Sequence, residues 1–174
     1  MGTLNTTNLN VTGNWSSAPA GTIIQVQTAE AGPTRQTISS VNPVAITDLL
    51  INFTPKNSTS KIMIQVYLNA THTHVASYGI FEDGSKTTNT TSSGQSNGNE
   101  NGMDFTYYNG STTNDYFIGT TFHTVLDASS TTTRTYQPYA TSAWSGNTYS
   151  IFINNRYSND MPSKSRMIIY EIAT

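Results

Sequence analysis

The sequence predicts an all-β fold: an antiparallel, jelly-roll-like β-sandwich carrying a short extended N-terminal stem. Three observations predict it. Thr, aromatic and β-branched residues are abundant, with ten Tyr, six Phe and two Trp in 174 residues, and such residues suit a pleated, half-buried surface. The stretch Lys61 to Asn69 alternates strictly, with Ile62, Ile64, Val66 and Leu68 on one face and Lys61, Met63, Gln65 and Tyr67 on the other. That is the period of a strand with one face on a core. Finally, short apolar runs recur between turn residues with no helical stretch separating them, and parallel pairing would need longer crossovers.

The chain divides into a stem, residues 1–20, and a head, residues 21–174. In the stem, Leu4, Leu9 and Val11 are the only aliphatic residues of Thr3 to Gly13, too thinly spaced to close a core within one chain. Either three copies pool them on an axis, making an attachment device, or the segment is a frayed tail. Trp15 and then Ala18-Pro19-Ala20-Gly21 read as a hinge into the head.

In the head, Thr22 to Gln27 forms the first strand, closed by Ala31-Gly32-Pro33. Ile46 to Phe53 fits both a helical face and an alternating strand. Asn42-Pro43 and Thr54-Pro55 bracket it too closely for a stable helix, so it reads as a strand with a bulge near Asp48. After Lys61–Asn69, strands are expected at His72–Glu82, Met103–Tyr108, Asp115–Asp127, Arg134–Thr141, Thr148–Asn154 and Arg166–Ala173. Asp83-Gly84, Asn109-Gly110, Ser145-Gly146-Asn147 and Ser158-Asn159-Asp160 supply the turns between them. About eight strands in two sheets suit a jelly roll. Ser85 to Gly102 holds no aliphatic or aromatic residue; it reads as a mobile loop at one end, either a recognition loop or a tolerated insertion.

Composition narrows the function classes. Charged residues make up 10% of the chain and the net charge is −2, which leaves no basic surface to track a phosphate backbone and argues against nucleic acid as a partner. The aromatic content argues equally against a disordered chain. Cysteine is absent, so robustness has to come from elsewhere, and subunit burial in a homotrimer is the expected source. Met1-Gly2-Thr3-Leu4-Asn5 lacks the basic and apolar segments of a signal peptide, and no apolar run approaches the ~20 residues that span a bilayer. Synthesis in a cytoplasm follows, with any external role reached by release inside a particle. Asn-x-Ser/Thr triplets, such as those at Asn5, Asn52 and Asn109, then read as chance matches, since glycosylation needs a secretory route.

The search for chemistry finds little. His72-Thr73-His74 on a strand would project two imidazoles from one face, and three chains on an axis would offer six, enough for an octahedral transition-metal site. The alternative is a pair of partly buried histidines hydrogen-bonded to Thr and Asn neighbours. No Gly-x-Ser-x-Gly elbow accompanies His123 and Asp127, the carboxylates are scattered, and phosphate-binding glycine loops are missing. No catalytic residue and no cofactor are expected. The remaining signal is aromatic: Tyr107, Tyr108, Tyr116, Trp144, Tyr149 and Tyr157 border polar turns. Such rings among Asn, Ser and Gly suit recognition surfaces, though they also cap core ends in ordinary sandwiches.

Two strings carry a resemblance: Ala20-Gly21-Thr22-Ile23-Ile24-Gln25-Val26, and Leu50-Ile51-Asn52-Phe53-Thr54-Pro55-Lys56-Asn57-Ser58-Thr59-Ser60-Lys61-Ile62-Met63-Ile64. With Tyr78 to Gly84, Ser145 to Arg156 and Ser165 to Ala173, they resemble the small tail-fibre and virion head domains of marine and cyanobacterial phages. In that family a strand ends in a Thr-Pro turn, a short Ser/Asn run follows, and Ser-Lys opens a long aliphatic strand. The likeness covers residues 20–174 through short degenerate motifs, and Leu4 to Gly13 is similar to fibre-shaft sequence. It implies a trimeric head of the C1q and tumour-necrosis-factor type, located on a virion. Leu4, Leu9, Val11 and Trp15 would attach it to other virion proteins, and distal loops would meet a host-surface glycan or protein. The alternatives are a trimeric capsid decoration protein and a secreted carbohydrate-binding or hydrolytic sandwich; the missing signal peptide counts against the last.

Overall fold

The computed structural model describes residues 18–87, 91–92, 105–108, 118–144, 147–155 and 162–174, with backbone alone at 91–92, 105–108, 118, 143–144 and 147. All described secondary structure is β. In chain order the strands are β1 (Ile23–Ala31), β2 (Gln36–Ile38), β3 (Val44–Ala45), β4 (Ile51–Phe53), β5 (Lys61–His72), β6 (Val75–Glu82), β7 (Ser85–Lys86), β8 (Thr91–Ser92), β9 (Phe105–Tyr108), β10 (Ile118–Asp127), β11 (Arg134–Thr141), β12 (Ala143–Trp144), β13 (Asn147–Thr148), β14 (Ile151–Ile153) and β15 (Ser165–Ile172).

They form two antiparallel sheets and a small β12–β13 hairpin. One sheet runs β1–β15–β5–β10–β8, with β14 also on β5 and β2 on β14. The other runs β3–β11–β6–β7, with β4 also on β11 and β9 also on β6. The expected sandwich is therefore present. Its core lies where the alternation of β5 places it: Ile62, Ile64, Val66 and Leu68 are all essentially without solvent contact. Tyr78 of one sheet meets Phe122 of the other, ring centroids 5.8 Å apart.

The first strand runs on to Ala31, four residues past its expected end. Its register slips between Ile23 and Gln25. That bulge turns Ile24 into the core and leaves Ile23 and Val26 outward, which a regular strand would not allow.

Four expectations need correction. Ile46 to Phe53 is not one bulged strand. The chain turns at Thr47–Asp48, with Asp48 at φ 66°, between β3 and β4. The turn lets Ile46 and Leu49 both point into the core at 0% exposure. Pro138 of β11 sits beside this gap, and its carbonyl accepts the Ile46 N–H at 2.9 Å; a residue without an N–H is tolerated where the neighbouring strand is broken. His72–Glu82 is likewise two pieces. His72 ends β5 in one sheet, and Thr73–His74 form a corner from which β6 enters the other. Thr148–Asn154 is split between β13 and β14. Ser85–Gly102 is not wholly without structure, since β7 and β8 fall inside it. The expected Asp83-Gly84 turn is present, both residues at positive φ, as a tight two-residue hairpin requires.

A seam crosses the first sheet. β15 follows the edge of β5 up to Tyr67, and β14 resumes on the same edge at Ala70. Outside them, β1 stops at Ala31 opposite Ser165 and β2 restarts at Gln36 opposite Ile153. Between the halves, Asn69 gives its N–H to Ser165 Oγ at 2.9 Å and its carbonyl accepts the Asn154 N–H at 2.8 Å. Ser165 Oγ in turn reaches Asn154 Oδ1 at 2.6 Å. β5 passes through unbroken, with β10 paired along its other edge from Lys61 to Ala70.

Candidate recognition site

β5 gives the sandwich two distinct ends. At its Lys61 end the N-terminal chain arrives: the Gly21 N–H donates to the Ala173 carbonyl at 2.8 Å, and Ala173 N–H to that of Thr22 at 2.9 Å. At its His72 end lies the Thr73–His74 corner. The strand's twelve residues separate these ends by roughly 35–40 Å at about 3.3 Å per residue.

Hydroxyls lace four segments together at the corner. The Thr73 N–H donates to the Ser150 carbonyl at 2.9 Å, and Ser150 N–H to Thr73 Oγ1 at 3.0 Å. Ser150 Oγ shares a 2.7 Å hydrogen bond with Ser39 Oγ in the β2–β3 loop. Ser142 Oγ donates to the Tyr149 carbonyl at 2.7 Å and accepts the Ser40 N–H at 3.0 Å. Short hydroxyl side chains can satisfy backbone groups where the chain leaves its ladders, and here they fix loops from both sheets.

On this frame the His74 ring stacks on Tyr149, centroids 4.3 Å apart and planes 13° apart. Tyr107 and Tyr108 lie beside it along β9, paired in register with Ala76 and Val75. Trp144 opposes Asn147 in the β12–β13 hairpin, which leads directly into Tyr149. The fold thus brings the backbone positions of three expected recognition residues to one end, around a His–Tyr stack. Of the other expected site residues, Tyr116, Tyr157, Leu4, Leu9, Val11 and Trp15 lie outside the described residues, as does most of the Ser85–Gly102 segment.

The two histidines have different surroundings. His72 is 2% exposed, and burial pushes its imidazole down to about 4, against a smaller opposing effect of its hydrogen bond with the His74 backbone. His74 is half-buried at the corner. A metal shared between chains needs imidazoles at the surface, and the ring of His72 is inside. Among the described residues no three His, Cys, Asp or Glu side chains form a metal-binding group.

Sequence reasoning overlooked the serine lacing, for which only the density of Ser and Thr near loops offered a signal. It also overlooked Glu171, at 0% exposure. Its place between inward-facing Ile169 on β15 and buried Ala173 just past the strand's end was the available sign.

No protein-family model matches the chain, and no curated protein matches it as a relative.

Proposed function

We propose that this chain is a bacteriophage virion structural protein: the trimeric head of a short tail appendage, which engages a host surface through the end of the sandwich opposite its N-terminal segment. The observation that carries the reading is the polarity of β5. The chain enters beside Ala173 at one end. The His74–Tyr149 stack and the backbones of Tyr107, Tyr108 and Trp144 gather at the other. A tethered head needs its recognition surface far from its tether, and this arrangement supplies that.

Support for the jelly-roll arrangement comes from strand order. β1–β15–β5–β10 in one sheet and β3/β4–β11–β6–β9 in the other make the chain cross repeatedly between sheets, as two Greek keys would. The head acts by binding and not by catalysis. Among the described carboxylates, Glu30 and Asp127 are held in ion pairs and Glu171 by backbone donors.

Labelling the protein on intact particles tests the reading. Label at the tail, together with loss of cell adsorption by particles carrying Tyr149→Ala, is expected. Label spread over the capsid shell would replace it with the decoration-protein reading.

A further inference from the structure

The seam divides the first sheet into unequal halves. On the near side, toward Lys61, β1, β15 and β10 run for nine, eight and ten residues. On the far side β2 and β14 have three residues each, and the described pairing of β10 ends opposite Ala70. Beyond that point Thr71 and His72 pair only with β14 among the described residues. Segments with few ladder bonds open at lower free energy than a core of long strands.

His72 sits inside this weaker half. It continues the inward face of β5 that runs from Ile62 to Ala70, and it stands opposite fully buried Ile151. The chain is held on both sides of it. Thr71 Oγ1 donates to the Asn155 carbonyl at 2.7 Å, and Thr73 is laced to Ser150. No anion is at hand among the described residues: Gln36 to Thr47, Ile62 to Phe81 and Thr135 to Asn155 contain no Asp or Glu. The titratable groups on the elements around it are His74, Tyr149 and the tyrosines of β5, β6, β9 and β11. The cation Arg35 lies 5.3 Å over the Phe152 ring of β14.

A proton on His72 therefore makes a buried cation with a second imidazole nearby and no described carboxylate to pair with it. Such a charge has to reach water. Burial already holds the imidazole down at about 4. Opening the far half hydrates it without breaking the long ladders of β1, β15 and β10.

We propose that protonation of His72 opens the far half, from the seam to the Thr73–His74 corner, while the near half stays folded. Acid then takes apart the His74–Tyr149 stack and releases what the corner holds. Only the release rests on the recognition role proposed above; the opening is measured without it.

Hydrogen exchange of the full chain tests the opening, with each amide's rate corrected for its intrinsic dependence on pH. In wild type, amides of β2, β14 and Thr73 are expected to be less protected than those of β1 and β15 at every pH. Their protection is expected to fall roughly 10²-fold between about pH 7 and 4. His72→Gln is expected to abolish that acid loss and keep the difference between the halves. Equal protection in the two halves at every pH overturns a local opening. An acid loss of the same size in His72→Gln overturns the role of His72. If His72→Gln does not fold, nuclear magnetic resonance of wild type decides. One shared midpoint for the His72 ring protons and the loss of Thr73 amide protection supports the proposal, and separate midpoints overturn it. Adsorption of particles that persists once the far half is open leaves the opening standing and overturns the recognition role.

Discussion

Both carboxylate oxygens of Glu171 accept the backbone N–H of Lys56, at 2.9 and 2.8 Å, and Oε1 also accepts that of Asn57 at 2.8 Å. The acid is fully buried, so the Thr54–Ser60 loop must wrap it to satisfy it. Asn57 Oδ1 then accepts the Thr59 N–H at 3.1 Å and tightens the same turn. The Thr-Pro-Lys-Asn-Ser-Thr-Ser-Lys string is therefore a carboxylate clasp that leads into β5.

Removing the acid leaves two part-buried backbone donors without it, each costing about 1–2 kcal/mol. Glu171→Ala is expected to lose roughly 3 kcal/mol in urea unfolding, and Glu171→Gln, which keeps one acceptor oxygen, about half that. A loss below ~0.5 kcal/mol for Glu171→Ala would show that water replaces the carboxylate and that the loop is held by something else.

Gly32 sits against the seam. An added Cβ would lie 2.5 Å from the Ser163 carbonyl oxygen, and its φ of +120° is strained for any other residue. Gly21 also has positive φ, +84°, but open space around it. Gly21→Ala is expected to cost about 1 kcal/mol from backbone strain alone, and Gly32→Ala at least ~2 kcal/mol more. Equal denaturation midpoints for the two variants would contradict the close approach.

Ile64 has no solvent contact and lies in register between Thr124 of β10 and Ile169 of β15. Ile64→Ala is expected to cost about 2–5 kcal/mol through lost burial and the cavity left behind. A two-state denaturant titration measures it, and a cost under ~1 kcal/mol would mean that the core had collapsed around the gap.

These cases show what was legible in the sequence. The alternation of β5 declared its inward face because side-chain direction has a fixed period. Arg134 to Thr141 bounded itself as β11 in the same way. Ile46 to Phe53 misled because two inward residues three apart, Ile46 and Leu49, fit either a bulge or a turn, and only the break opposite Pro138 decides. The His72–His74 corner misled for a different reason. Polar residues at the end of a regular strand look alike whether the chain continues or changes sheet. The end proposed for recognition was legible only as scattered aromatic residues, since what gathers them is strand register between segments distant in sequence.

His72 makes stability depend on pH. Its imidazole, near 6.5 when unfolded, is pushed down to about 4 by burial. As pH falls through 6.5 the unfolded chain takes up a proton that the folded chain refuses. The contribution is whole above pH ~6.5 and lost progressively down to about 4, in total roughly 3 kcal/mol at ~1.4 kcal/mol per pH unit. Unfolding free energy measured across that window is expected to decline more steeply for wild type than for His72→Gln. Parallel curves would place the imidazole in water.

The seam at Asn69 bears on how this fold can accept changes in length. A one-residue slip in a continuous ladder turns every following side chain to the opposite face. Here the ladders of β1 and β15 end at Ala31 and Ser165, and those of β2 and β14 start afresh at Gln36 and Ile153. A residue gained or lost in the far half stops at the seam, and the half that receives the N-terminal chain keeps its pairing. The distal loops therefore form an exchangeable cassette on a fixed chassis, with β5 as the shared spine.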